Sequence, residues 1–536
     1  MHSPDNPHQH ATDLLAQAVT HLKLKLDPNL DLGSTIETTK IEFGDFASNL
    51  ALRLAPSLQM KPLELADQIR QKLLVLPGDA EATVAGPGFI NIRLGTDYWL
   101  QYLNNLRQIA KPAKPNGQSV NIEFVSANPT GPLVFVNAWQ AFYGDILARV
   151  YAHDGWRVER EYYSNDTGNQ ILNLGKSILA TAGVKYSDDE IKNFYKGDYI
   201  DDLAAEMSID DPAKADAYVV GRRAAGILFD RIQASLKRMN IRYDRFFSEN
   251  DLDNEATLEL LRAKGMLDNH DGAVWLKAAV IGGDQDRVLV RSGGKGQTYF
   301  LKDISYQLDK LVERKYDLAI TITGADHHGE MLFLAKALAA LGYENFLPLN
   351  TQIVRLIEDG REVKMSKRAG KYILLDDFLD LVPTDVARFY FGMRDIHSHF
   401  DFDLKEAQTQ SKNNPLFYAM YAYARSCSIL EKARSEAVSV ASSVTHDLTS
   451  FESALVRQAA QLQTTISLVP DNHKVHSIFH ELLACASLFH DYYEQERILT
   501  ITDHKLRASK LALVQIWSDY FELIFELLGI TPQSKM

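Results

Sequence analysis

The segment Lys364-Met365-Ser366-Lys367-Arg368-Ala369-Gly370 sets two ammonium groups three positions apart, with a hydroxyl between them and a glycine at the end. Point charges on long stems suit a loop that grips a polyphosphate and then lets it go. Alone, such a run reads as solvated surface, the commoner fate of short lysine-rich stretches. Far upstream lies Glu123-Phe124-Val125-Ser126-Ala127-Asn128-Pro129-Thr130-Gly131-Pro132-Leu133, which combines a carboxylate, small hydroxyls and turn formers directly after an apolar run. Together the two segments point to nucleotide chemistry at the end of a strand.

Those residues need a frame. Ser119 to Phe124 reads as a buried strand, and Ala138 to Val150 as a helix with Ala141, Phe142, Ile146 and Val150 inward. Further strands are expected at Leu318 to Thr323 and Gln352 to Leu356, each beside a helical stretch. That alternation predicts an α/β catalytic domain with a doubly wound parallel sheet, its ligands beyond the carboxyl ends of the strands. Residues 170–290 are more irregular and read as an insertion.

A chain of 536 residues is too long for one core. Residues 1–111 read as a small α/β domain, with a helix over 46–55 stopped by Pro56 and a strand over Ala85 to Ile92. The two prolines and Asn116-Gly117 of the stretch from Lys111 mark a linker, which opens a catalytic domain over 112–388. From about Phe389 strands are expected to disappear, leaving a helical bundle over 389–536 with Asn414 as a cap and Pro415 in a first turn. The net charge of −13 argues against a nonspecific nucleic-acid coat, yet a folded RNA can be held by local basic grooves and stacked bases. Cys427 and Cys485 lack metal-ligand spacing, so no zinc is expected. No apolar run is long enough for a bilayer and the first ten residues lack a signal-peptide pattern, so a cytoplasmic protein without a membrane is expected.

The chain resembles the arginyl-tRNA synthetases, class I aminoacyl-tRNA synthetases. Besides the two segments above, the likeness rests on Glu161 to Gln170, on Asp286 to Arg291, on Thr298-Tyr299-Phe300-Leu301-Lys302-Asp303, and on Gly324-Ala325-Asp326-His327-His328-Gly329. It implies arginine activation with ATP, magnesium as counter-ion, transfer to tRNA(Arg), and a monomer. It further implies that Glu123, Ser126, Asn128, Tyr299 and Asp303 hold arginine. Lys364, Ser366, Lys367 and Asn137 would serve the chemistry, and Pro129, Thr130, Gly131, Pro132, Val134, Val136, Asp326, His327, His328 and Met365 would line the ATP site. Phe43 and Asn49 would touch the tRNA elbow, with Tyr418, Tyr421 and Arg425 in the anticodon-binding bundle. Tyr299 and Asp303, four apart, share a face if that segment is helical.

One signature departs from the pattern. After Gly-Pro-Leu the family normally carries His-Val-Gly-His or a near variant, and this chain has Val134-Phe135-Val136-Asn137. An isopropyl group at 136 is expected to crowd the nucleotide ring, while the Asn137 amide partly replaces a lost donor. Two expectations follow: a working synthetase whose backbone N–H groups, Asn137 and lysine loop carry ATP, or a tRNA-binding relative with a damaged nucleotide site.

Overall fold

The computed structural model describes residues 6–27, 30–40, 42–76, 80–283, 285–294, 296–363 and 373–536. The lysine loop, with Lys364, Met365, Ser366 and Lys367, lies outside the described residues.

The N-terminal region is a four-stranded antiparallel sheet, β1 (Ile36–Thr38), β2 (Phe46–Ser48), β3 (Glu81–Ala85) and β4 (Phe89–Arg93), in the order β1-β2-β4-β3. The helix expected over 46–55 is therefore corrected. Phe46 to Ser48 pair with β1 on one side and β4 on the other, burying Phe46 and Ser48 in strand alternation. The helix runs over Leu50–Leu58 with Pro56 inside it, and leaves at Gln59 in the left-handed region, φ 53°. Tertiary pairing overrode the local apolar spacing.

Next come β5 (Ser119–Phe124), β6 (Arg157–Ser164) and β7 (Arg245–Ser248), the antiparallel meander β8 (Leu267–His270), β9 (Ala273–Leu276) and β10 (Arg287–Val290), and then β11 (Leu318–Gly324) and β12 (Phe346–Thr351). The central sheet, β12-β11-β5-β6-β7, is parallel throughout and has β5 in its middle. Every residue of β5 is buried, as a strand covered on both faces requires. The helix Asn137–His153 packs on it so closely that a Cβ on Gly144 would sit 2.3 Å from the Phe124 ring. The irregular stretch 170–290 is not wholly outside this sheet, because it supplies the edge strand β7.

Two strand expectations are also corrected. The partner of β11 is Phe346–Thr351, whereas the stretch around Gln352 to Leu356 gives β13 (Val354–Glu358), which lies in a separate sheet with β14 (Arg361–Glu362) and β15 (Phe400–Asp403). Strands therefore continue past Phe389. The Phe-Asp-Phe-Asp alternation of β15 buries Phe400 and Phe402 among Phe135, Trp139 and Phe391. Beyond it the long helices Pro415–Ser435, Ser450–Asn472, Val475–Gln495 and His504–Leu527 form the C-terminal bundle, with Asn414 capping the first as expected. The buried Arg388 ties the end of the bundle to the helix Asn137–His153: it donates to Asp145 at 2.7 Å, to the Met239 carbonyl at 3.0 Å and to the Leu528 carbonyl at 3.4 Å.

Candidate active site

Register brings chemistry to the middle of the sheet. Thr321 on β11, Glu123 on β5, Glu161 on β6 and Arg245 on β7 stand side by side across four strands. Two neighbouring buried carboxylates repel unless cations intervene. The chain supplies them from the segment after the helix Tyr299–Leu308, where a π-helical turn over Asp309–Glu313 turns Lys310 inward. Lys310, fully buried, donates to Glu123 at 2.9 Å and lies 3.9 Å from the centre of the Tyr306 ring. Arg314 forks onto Glu161, which also accepts from the Tyr306 hydroxyl. Burial alone would raise the pKa of Glu161, but the Arg314 hydrogen bonds and the Lys310 and Arg314 charges outweigh it and hold the carboxyl at about 2.

Glu123 has no free oxygen in this arrangement. One accepts from Lys310 and from Thr321 at 2.9 Å, and the other accepts from Ser126 at 3.0 Å. Its grip on Ser126 holds a strained turn, since Val125 (φ 70°) and Ser126 (φ 41°) both lie in the left-handed region. Such residues cost on the order of 1–3 kcal/mol each, the more so for a β-branched valine. The Tyr162 hydroxyl on the Ala127 carbonyl (2.6 Å) and the Tyr243 hydroxyl on that of Phe124 (2.9 Å) brace the same turn. The turn presents Asn128 to solvent and carries Pro129 and Thr130 inward.

The helix Tyr299–Leu308 has Thr298 as its N-cap and carries Tyr299, Asp303 and Gln307 at four-residue spacing along one face. Tyr299 is 60% exposed, Asp303 half-buried and Gln307 buried with its Oε1 unpartnered. Asp303 has no hydrogen bond or ion pair among the described residues. Burial, with Glu123, Glu330 and Glu249 adding their negative charge, pushes its carboxyl up to about 8. Glu249, just past β7, is buried and accepts from Tyr163 at 2.9 Å, from Thr167 at 3.0 Å and from Lys302. The result is an acidic cluster of a phenol, two carboxylates and an unpaired amide oxygen. That donor-hungry set matches a planar cation with several N–H groups.

The altered signature sits one strand end away. Leu133 to Phe135 pair with the chain that follows the lysine loop: the Phe135 N–H donates to the Ile373 carbonyl at 2.8 Å, and the Leu375 N–H to that of Leu133 at 2.9 Å. The far stem of the lysine loop is thus bound to the first signature. Phe135 is buried against Phe378, while Val136 is 44% exposed at the start of the helix Asn137–His153. Asn137 accepts from the Val134 N–H at 2.9 Å. Across the rim Asp326, His327 and His328 are exposed after β11, with His328 Nδ1 3.0 Å from Asn350 Oδ1. Gln140 reaches this loop, because a Cβ on Gly324 would meet its side chain at 3.5 Å.

Residues 100–384 match the family described as tRNA synthetases class I (R), catalytic domain. The chain belongs to the arginyl-tRNA synthetase family. Residues 9–94 match the arginyl tRNA synthetase N terminal domain and residues 419–536 the DALR anticodon binding domain. An arginine–tRNA ligase of Oceanobacillus iheyensis is 35% identical over 515 residues, 92% of each chain. One of Desulforamulus reducens is 36% identical over 521 residues, again 92% of each chain. The arginyl-tRNA synthetase of Thermus thermophilus superposes with a TM-score of 0.78 over 99% of this chain and all of the other, at 21% identity. Nothing in these matches favours a binding-only relative. Class I synthetases of this family use ATP as substrate.

The fold brings Glu123, Ser126, Asn128, Asp303 and Tyr299 to one rim, with Val134, Val136, Asn137 and Asp326 to His328 beside them. Glu249, Gln307 and Lys310 were not singled out in the sequence. Gln307 was legible as the next i+4 step after Tyr299 and Asp303, whereas Glu249 carried no local signal. In the bundle, Arg425 lies over the rings of Tyr421 (4.3 Å) and Tyr493 (4.5 Å), and His490 bonds the Tyr418 carbonyl at 3.1 Å. Tyr421 is exposed and Tyr423 is buried. In the N-terminal sheet region Phe43 is exposed, and Asn49 keeps a buried unpartnered Oδ1.

Proposed function

We propose that this chain activates L-arginine with ATP and transfers the arginyl group to tRNA(Arg), as an arginine–tRNA ligase. The observation that carries the reading is the line of Tyr299, Asp303 and Gln307 facing Glu249, one strand end from the signature turn. In the first step a carboxylate oxygen of arginine attacks the α-phosphorus of ATP and the bond to the β-phosphate oxygen breaks. Arginyl-adenylate forms and pyrophosphate leaves. In the second, a terminal ribose hydroxyl of the tRNA attacks the arginyl carbonyl, and AMP departs.

Each side chain then has a physical task. Asp303 and Glu249 take the guanidinium fork, Gln307 accepts a further N–H, and Tyr299 covers the cation's face. Asn128, free in the strained turn, reaches the ammonium and carboxylate end, and Glu123 acts through Ser126 by fixing that turn. The N–H groups opening the helix Asn137–His153 face the nucleotide, with Pro129 to Pro132, Val134 and Val136 as walls and Asp326 to His328 on the ribose side. Lys364, Ser366 and Lys367 neutralise the departing pyrophosphate, with Met365 against the base. Magnesium enters as part of the substrate, held by phosphate oxygens.

In this reading residues 112–388 perform the chemistry, while 1–111 and 389–536 hold the tRNA through Phe43, Asn49, Tyr418, Tyr421 and Arg425. No described helix is long and apolar enough to cross a membrane. Charged tRNA is consumed in translation, so the enzyme works in the cytoplasm, and as a monomer it would sediment at 60.3 kDa. The test is ATP–pyrophosphate exchange and tRNA charging with purified full-length protein, offering each amino acid in turn. Exchange that depends on arginine supports the reading. Exchange with another amino acid, or tight tRNA binding without any exchange, overturns it.

A further inference from the structure

The acidic cluster already contains a cation of its own. Lys302, one residue before Asp303, sends its ammonium onto Glu249 and within 5.7 Å of the centre of the Tyr299 ring. Glu249 and Tyr299 are two of the groups that the proposed function assigns to the guanidinium. The Lys302 side chain keeps 22% of its surface exposed, so the stem has a route outward. Glu249 is 3% exposed at its side chain and has no other cation within ion-pair distance among the described residues. A buried carboxylate without a counter-charge is costly, and Lys302 meets that need.

We propose that Lys302 is a resident occupant of the guanidinium site, displaced when the amino acid enters, and that this displacement lowers the affinity for arginine and for lysine by the same factor. This inference rests on the reading of the site given under the proposed function. A lysine ligand entering the site swaps one ammonium for another on Glu249 and gains little. An arginine ligand brings five donors in a planar fork, enough for Glu249, Asp303 and the open Gln307 oxygen together, so it gains bonds that the departing ammonium never made. An internal competitor raises the threshold for binding, and a ligand with bonds in surplus overcomes it. Lys302 thereby tunes affinity without touching the reacting atoms.

Titration calorimetry of the full-length protein with L-arginine and L-lysine, for wild type, Lys302→Met and Lys302→Arg, tests this. Methionine keeps the length of the stem and removes the charge. Lys302→Met is expected to tighten arginine and lysine binding alike, each at least tenfold. Lys302→Arg places the stronger competitor at the site and is expected to weaken arginine binding about tenfold. If Lys302 merely braces Glu249, the Met variant weakens both amino acids or leaves them unchanged, and either result sinks the inference while leaving the proposed function intact. Wild-type protein that binds no arginine overturns both. Should the Met variant fail to fold, Lys302→Gln supplies the same comparison, with melting temperature measured alongside.

Discussion

On the proposed arginine side of the rim, Glu123, Glu161 and Glu249 each accept several hydrogen bonds from partners on other elements, and the cations Lys310 and Arg314 come from one turn behind them. On the proposed nucleotide side, Val136, Asp326, His327 and His328 face solvent, and the signature segment is held through its backbone, by Ile373 and Leu375. The first region is charged before its ligand arrives, so its groups are already aimed and desolvated. The second presents exposed side chains on a frame held through the backbone. A preorganised field loses most when a single group is deleted, whereas an open surface spreads its contribution over many weak contacts.

The contrast breaks most sharply at Asp303. Asp303→Asn keeps the shape and removes the charge, and is expected to lower kcat/KM for arginine by about 4 kcal/mol, roughly a thousandfold, as for one partner of a desolvated ion pair. An effect below tenfold in steady-state exchange would erase the difference between the two sides. Lys364→Ala on the nucleotide side should lower kcat roughly a hundredfold, about 3 kcal/mol, with the arginine KM unchanged. A pre-steady-state burst of pyrophosphate at the wild-type rate would contradict it.

Acidity sharpens the comparison further. The Asp303 carboxyl is raised from the ordinary 3.8 to about 8, so the folded empty protein binds a proton that the unfolded chain has already lost between those values. This contribution to stability is fully present below the unfolded value and is lost as pH rises through about 8. On the proposed reading arginine needs the ionised form, so its KM should fall about tenfold per pH unit from 6 towards 8, with proton release seen by calorimetry in buffers of different ionisation enthalpy. A flat profile would mean that Asp303 is ionised before arginine binds. The smallest effect belongs to Val136→Gly, which should lower the KM for ATP about fivefold, near 1 kcal/mol, by relieving a crowded contact. Equal KM values would show that the exposed isopropyl group leaves the nucleotide untouched.

The sequence by itself determined the α/β class, the strands over Ser119 to Phe124 and Leu318 to Thr323, the capped bundle helix after Asn414, and the shared helix face of Tyr299 and Asp303, because each rests on spacing within a few residues. It also marked the departure at Val134 to Asn137. Tertiary structure alone decided that Phe46 enters a strand, that Phe400 to Asp403 joins β13, and that Arg245–Ser248 closes the sheet, since strand pairing depends on partners far along the chain. The same holds for the site's deepest feature. That Glu123 is fully engaged, that Lys310 reaches it through a π-helical turn, and that Glu249 faces Asp303 with Lys302 between them follow from register across the sheet and one local widening of a helix. Charges separated by hundreds of residues attract or repel only after the fold has set their distance and removed the water between them.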